Sequence, residues 1–195
     1  MGMYLMCLEF EDFISQYGEL SERNDRDSNV VKEFNPSIRV LNYNEVEDYN
    51  SKLELQAKVF QPSYDLEKHI DNLMVSFGKG DGNGYFFYSN DSLVGSLDAE
   101  IFNEFIYFIN FAVLEDYRGK GLGKCFMINS LIDVINTYGD RFDRIYLLVS
   151  KKNTRAKKLY ESLGFKVKNW KNTWLIFHYF SNYNFYIIMK LIVRL

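Results

Sequence analysis

The chain has 195 residues, 47% of them apolar and 25% charged, with a formal net charge of −3 and a sequence pI near 5.5. That length and apolar share fit one globular α/β domain with room for a sizeable core. The acidic balance removes any global electrostatic reason to bind nucleic acid, and Cys7 and Cys125, far apart and without partners at metal-ligand spacing, point to a reducing compartment with no structural disulfide.

Residues 1–35 carry eight acids against three bases and read as an acidic N-terminal extension ahead of a main domain of 36–195. Leu8 to Tyr17 has the spacing of a short amphipathic helix, followed by a polar linker. The extension could dock on the domain, bind a partner or stay mobile. The start lacks the basic region of a signal peptide and has Met6 where a myristoylation signal needs Ser or Thr. The late apolar run Tyr186–Val193, interrupted by Lys190, is too short to span a bilayer, so a cytoplasmic protein without membrane association is expected.

Ser37 to Tyr43 alternates as a first strand, and residues 45–77 carry helical spacing broken at Gln61-Pro62-Ser63. Gly78 to Gly84 reads as a loop. Tyr85–Tyr88 and Leu93–Ile101 read as strands joined by a turn at Ser89-Asn90-Asp91-Ser92. Phe105–Val113 is apolar at nearly every position, as in a central strand covered on both faces. A helix follows from Leu122 to Tyr138, with Phe126, Met127, Leu131, Val134 and Ile135 inward and Lys124, Asn129, Asp133 and Asn136 outward. Phe165–Asn169, Asn172–Phe180 and Asn184–Val193 close the chain as strands. His69 and His178 form no metal motif, and no metal site is expected.

The turn between the central strand and its helix reads Arg118-Gly119-Lys120-Gly121-Leu122-Gly123-Lys124. Its glycines let a ligand approach the backbone, and the free N–H groups and dipole of the helix start, with three basic side chains, suit an anion such as a phosphate. It is not a P-loop, because Arg118 stands where the first glycine is needed and Cys125 where Ser or Thr is needed. Nor is it a dinucleotide fingerprint: Lys124 occupies the third glycine position, and the flanking pattern does not read as a βαβ unit. Downstream, a strand over 145–149 leads into a helix on which Asn153, Ala156 and Tyr160 share a face at i, i+3 and i+7, ending at Gly164.

Together the two motifs resemble the GCN5-related N-acetyltransferase (GNAT) family, closely over 85–170 and in outline over 37–195. The resemblance implies a mixed α/β (α+β) fold: a mostly antiparallel sheet of six to seven strands, helices on both faces, and a central parallel pair splayed apart. It implies acetyl-CoA (coenzyme A) as cofactor, with the Phe111, Ala112 and Val113 main chain along the pantetheine arm and the 118–124 turn on the pyrophosphate. Asn153 matches the position whose amide bonds the cofactor, and Tyr160 the position near its sulfur.

The activity implied is acetyl transfer by direct attack of a primary amine, which needs an amine without its proton, a polarised thioester carbonyl and a proton for the departing sulfur. Val113 N–H could serve the oxyanion and Tyr160 the sulfur. The base is open: Tyr107 stands six residues before Val113, where some members carry Glu or His and some protein N-terminal acetyltransferases carry Tyr, and Glu100 or Glu104 acting through water are alternatives. The acceptor, whether protein N-terminus, lysine or small-molecule amine, has no sequence code, and a monomer or homodimer fits equally. An acyl-CoA-binding regulatory module of the same fold without transferase activity is the alternative reading.

Overall fold

The computed structural model describes residues 2–18, 34–42, 49–60, 82–102 and 105–168. The described elements are β1 (Met3–Glu9), α1 (Phe10–Tyr17), β2 (Pro36–Asn42), α2 (Tyr49–Phe60), β3 (Gly82–Ser89), β4 (Ser92–Ile101), β5 (Ile106–Val113), α3 (Leu122–Tyr138), β6 (Arg144–Ser150), α4 (Thr154–Ser162) and β7 (Lys166–Lys168). The strands form one seven-stranded sheet in the order β2-β3-β4-β5-β6-β1-β7. Every pairing is antiparallel except β5 with β6. The fold is therefore the mixed α/β arrangement expected.

Several elements differ from the sequence reading. Met3–Glu9 is not part of a separate extension: β1 lies inside the sheet, paired with β6 on one side and β7 on the other. Leu5, Met6 and Leu8 are fully buried, because a strand with neighbours on both sides and cover on both faces needs a continuous apolar run. The acid count of 1–35 hid that run. Its helix accordingly starts at Phe10, two residues later than expected, and buries Phe10, Phe13 and Tyr17. Gly82–Gly84, expected in a loop, extends β3 through pairing with Asp98, Ala99 and Glu100. The β3–β4 turn is as expected, with Asn90 and Asp91 both at positive φ, 46° and 62°. Because β5 and β6 are parallel and joined through α3, they form a βαβ crossover that the local pattern did not reveal. Residues 61–81 and the strands expected after residue 168 lie outside the described residues, as do His69 and His178.

The sheet has two unlike faces. One side chain set, including Met6, Leu8, Phe87, Leu97, Phe108 and Leu147, packs with residues of α1, α3 and α4 into the main core. Phe87 stacks on Phe126 of α3 at 4.6 Å between centroids. Asp133, expected outward, instead accepts a 2.7 Å hydrogen bond from Tyr85 Oη. The opposite face holds a smaller cluster of Leu5, Phe105 and Tyr107, and α2 packs there against β4 and β5.

Candidate active site

The glycine turn has the geometry an anion site needs. Gly119 and Gly121 adopt φ of 81° and 84°, and Gly121 caps α3 in the left-handed conformation that glycine accepts without a steric penalty. Lys124 N–H and Cys125 N–H both donate to Gly121 O, so the amides of Leu122 and Gly123 precede the helix's own hydrogen-bond ladder. Leu122 can contribute only that amide, since its side chain is in the core. Arg155 of α4 joins the basic groups here, with Nη2 3.6 Å from the position of a Cβ on Gly119. Arg118 is partly committed: its Nε donates to Val113 O at 2.7 Å and ties the turn to the end of β5. The Lys120 ammonium lies 5.2 Å from the Phe34 ring, and that of Lys124 5.9 Å from the Tyr17 ring.

Above this turn β5 and β6 part. Their parallel pairing covers Ile106, Tyr107 and Phe108 only, while β6 continues to Ser150 alongside β1. Leu114 N–H donates to Val94 O at 2.9 Å. Successive amides of an extended strand alternate in direction, so Val113 N–H points away from β4, toward the side on which β6 has diverged.

On α4, Asn153 caps the helix by accepting from Ala156 N–H at 3.0 Å, which uses Oδ1 and leaves the Nδ2 amide as a donor. Gly164 at φ 96° ends the helix as expected, with Phe165 N–H donating to Tyr160 O and Gly164 N–H to Glu161 O. Tyr160 is buried, its ring 6.4 Å from that of Phe111 on β5, and burial pushes its phenol well above the ordinary tyrosine range. A Cβ on Gly123 would stand 3.7 Å from Phe111 Cζ and 3.9 Å from Leu159 Cδ2. The two sequence motifs, 30 or so residues apart in the chain, therefore meet across Phe111.

Glu100 and Tyr107 are direct cross-strand partners on the opposite face of β4 and β5. Burial, then the charge of Asp98, raises the Glu100 carboxyl to about 7 against the opposing pull of Lys52. Burial first, and Glu100 second, push Tyr107 far above its ordinary value, so its hydroxyl keeps its proton at neutral pH. Glu104 lies outside the described residues. Sequence reading missed a buried polar cluster beside Glu100: Lys52 pairs with Asp98, and Gln56 Nε2 lies 3.3 Å from both Asp98 Oδ2 and Ser96 Oγ. The alternation of Ser96, Asp98 and Glu100 with Leu97, Ala99 and Ile101 along β4, which puts the polar side chains on one face, was the available signal. Burial first, and the charge of Glu9 second, raise the Cys7 thiol to about 12, which disfavours its thiolate. Among the described residues no group of three or more His, Cys, Asp or Glu could hold a metal, and no helix is long and apolar enough to cross a membrane.

A seven-stranded mixed sheet whose parallel pair opens above a glycine turn and a helix start places the chain among α/β acyltransferase-like folds. The chain belongs to the Acetyltransferase (GNAT) family, whose model matches residues 44–165. No curated protein matches the sequence at a significant level. Among solved structures, a functionally unknown conserved protein from Staphylococcus epidermidis ATCC 12228 superposes with a TM-score of 0.60 at 20% identity over 85% of this chain, which spans 57% of that protein's length. AAC(6')-Iy in complex with the bisubstrate analogue CoA-S-monomethyl-acetylneamine gives 0.55 at 16% identity, covering 69% of this chain and 92% of that one. Arabidopsis thaliana Naa50 in complex with the bisubstrate analogue CoA-Ac-MVNAL gives 0.53 at 21%, covering 69% and 85%. At these identities the likeness is one of fold.

Proposed function

We propose that this protein is an acetyl-CoA-dependent N-acetyltransferase acting on a primary amine. The observation that carries the reading is the convergence of the 118–124 turn, the diverging edge of β5 and Tyr160 around Phe111. The residues present fit the cofactor: amides at the start of α3 with Arg118, Lys120, Lys124 and Arg155 suit a pyrophosphate, the open edge at Phe111, Ala112 and Val113 suits the amides of a pantetheine arm, and Asn153 Nδ2 offers a further donor. When bound, acetyl-CoA supplies an acetyl group activated as a thioester.

Each step then falls to a group of this chain. Glu100, with a carboxyl near 7, takes the proton of the acceptor amine, directly or through water, because a base is most effective when its pKa lies near the working pH. Tyr107 beside it stays protonated and orients by hydrogen bonding. Val113 N–H stabilises charge on the carbonyl oxygen. Tyr160, kept as a phenol by burial, holds a proton at Oη for the departing sulfur. Fold relatives carry analogues of an aminoglycoside amine and of a peptide, so the acceptor proposed here is a primary amine of a protein terminus, lysine or small molecule.

Coenzyme A and acetyl-CoA should raise the melting temperature, a ligand at 100 times its Kd contributing about 2.7 kcal/mol. Gly121→Asp should abolish that shift, since it puts a carboxylate and a Cβ at a left-handed position facing the proposed diphosphate. An unchanged melting temperature in the wild type sinks the cofactor assignment. Binding without thiol release across a panel of amines would instead identify an acyl-CoA-binding regulatory module.

A further inference from the structure

Just beyond the point where β5 leaves β6, β5 carries a bulge whose anchor lies on the other face of the sheet. Between the cross-strand pairs Asp98 with Ile109 and Ser96 with Ala112, β4 has one residue and β5 has two, Asn110 and Phe111. Asn110 adopts φ 54°, a bulge conformation that asparagine tolerates better than most residues. Its Nδ2 donates to Asp98 Oδ2 at 3.0 Å. The same carboxylate receives Lys52 Nζ on its other oxygen and faces Gln56 Nε2 at 3.3 Å. Lys52 and Gln56 are one turn apart on α2, and the side chains of Lys52 and Asp98 are each 1% exposed. A buried ion pair of this kind contributes little net stability, because removing both ions from water costs about what their attraction returns. The cluster does tie α2 and β4 to the bulge residue of β5. Beyond the bulge, side chains exchange faces: Ile109 packs with the Tyr107 cluster, while Phe111 packs against the main core near Tyr160.

We propose that the Lys52–Asp98 pair is a positioning device: through Asn110 it holds the β5 bulge, and thereby the Phe111–Val113 main chain turned toward the cofactor. The proposal rests on the cofactor reading above for its ligand, but the clamp itself is a property of the ligand-free protein. On the cofactor edge these residues act through the main chain, whereas the charges of Asp98 and Lys52 also bear on the Glu100 carboxyl.

The test uses the full chain with two readouts, hydrogen exchange of segment 109–114 without ligand and calorimetric affinity for coenzyme A. The double variant Lys52→Met/Asp98→Leu removes both charges and the acceptor for Asn110. Asn110→Gly removes the anchor while keeping a residue that accepts positive φ, so it remains informative if the double variant fails to fold. Both should exchange about tenfold faster over 109–114, and both should bind coenzyme A about tenfold more weakly, as expected when a preorganised edge is loosened. Lys52→Met/Asp98→Asn restores an acceptor without charge and should return both readouts to within about twofold of wild type. Wild-type exchange and affinity in both Asn110→Gly and Lys52→Met/Asp98→Leu would overturn the proposal. Absence of coenzyme A binding in the wild type would sink the cofactor reading alone, and the exchange rates would still decide the clamp.

Discussion

The two faces of the sheet are built on different physics. Beneath α1, α3 and α4 the contact is almost wholly apolar, with Phe87 on Phe126 and Tyr160 between Phe111 and Phe165. Beneath α2, a lysine, a glutamine, a serine and an aspartate are buried together, with Glu100 and Tyr107 alongside. The first face gains its stability from area removed from water, which is large and non-directional. The second gains little from area and depends on each polar group meeting its partner. The first supplies most of the buried apolar area; the second gathers the buried titratable groups and the anchor of the β5 bulge.

Substitutions should separate the two. Phe126→Ala, on the apolar face, should cost about 3–5 kcal/mol, read in a denaturant titration, through lost burial and an unfilled cavity beside Phe87. On the polar face the sign should depend on pH. Glu100 titrates near 7 in the folded protein, above its unfolded value of 4.5, so the folded state favours the protonated form. The resulting stabilisation is complete below 4.5 and lost as pH rises through 7. Glu100→Gln, which cannot ionise, should therefore match wild type at low pH and exceed it above pH 7 by on the order of 1–3 kcal/mol, allowing for partial solvent contact. Equal stability at pH 9 would contradict the burial of its charge. In activity the sign reverses: wild-type transfer should rise with pH through about 7, and Glu100→Gln should lose that dependence.

Tyr160→Phe sharpens the contrast where the faces meet. It keeps the ring packed on Phe111 and removes only the hydroxyl, so coenzyme A affinity should change little while turnover falls about tenfold or more. Equal turnover would assign Tyr160 to packing. The smallest effect is expected for Tyr85→Phe, which deletes the bond to Asp133 and should cost about 1 kcal/mol in thermal unfolding.

Much of the apolar face was legible in the chain. The α3 pattern placed Phe126, Met127, Leu131 and Val134 inward, and its Leu122 and Tyr138 limits agree with the structure. Asn90-Asp91 gave the turn, and Asn153 and Gly164 the ends of α4. These signals are local: a cap or a helical stripe involves residues within a few positions. Asp133 was misplaced outward because its partner, Tyr85, is 48 residues away. Glu100 was legible as one of three candidate bases, but its raised pKa was not, since that follows from burial in the fold and from the charge of Asp98.

The amino-acid order alone determined the glycine turn, the capped helix behind it and the pairing of motifs by which the family resemblance was drawn, because each depends on short-range backbone preferences. Only the tertiary structure decided that Met3–Glu9 fills a place between β6 and β7, and that Lys52, Asp98 and Asn110 share one buried site. Strand order and buried charge pairing are set by contacts between distant segments, where the free energy depends on which partner arrives rather than on the segment itself.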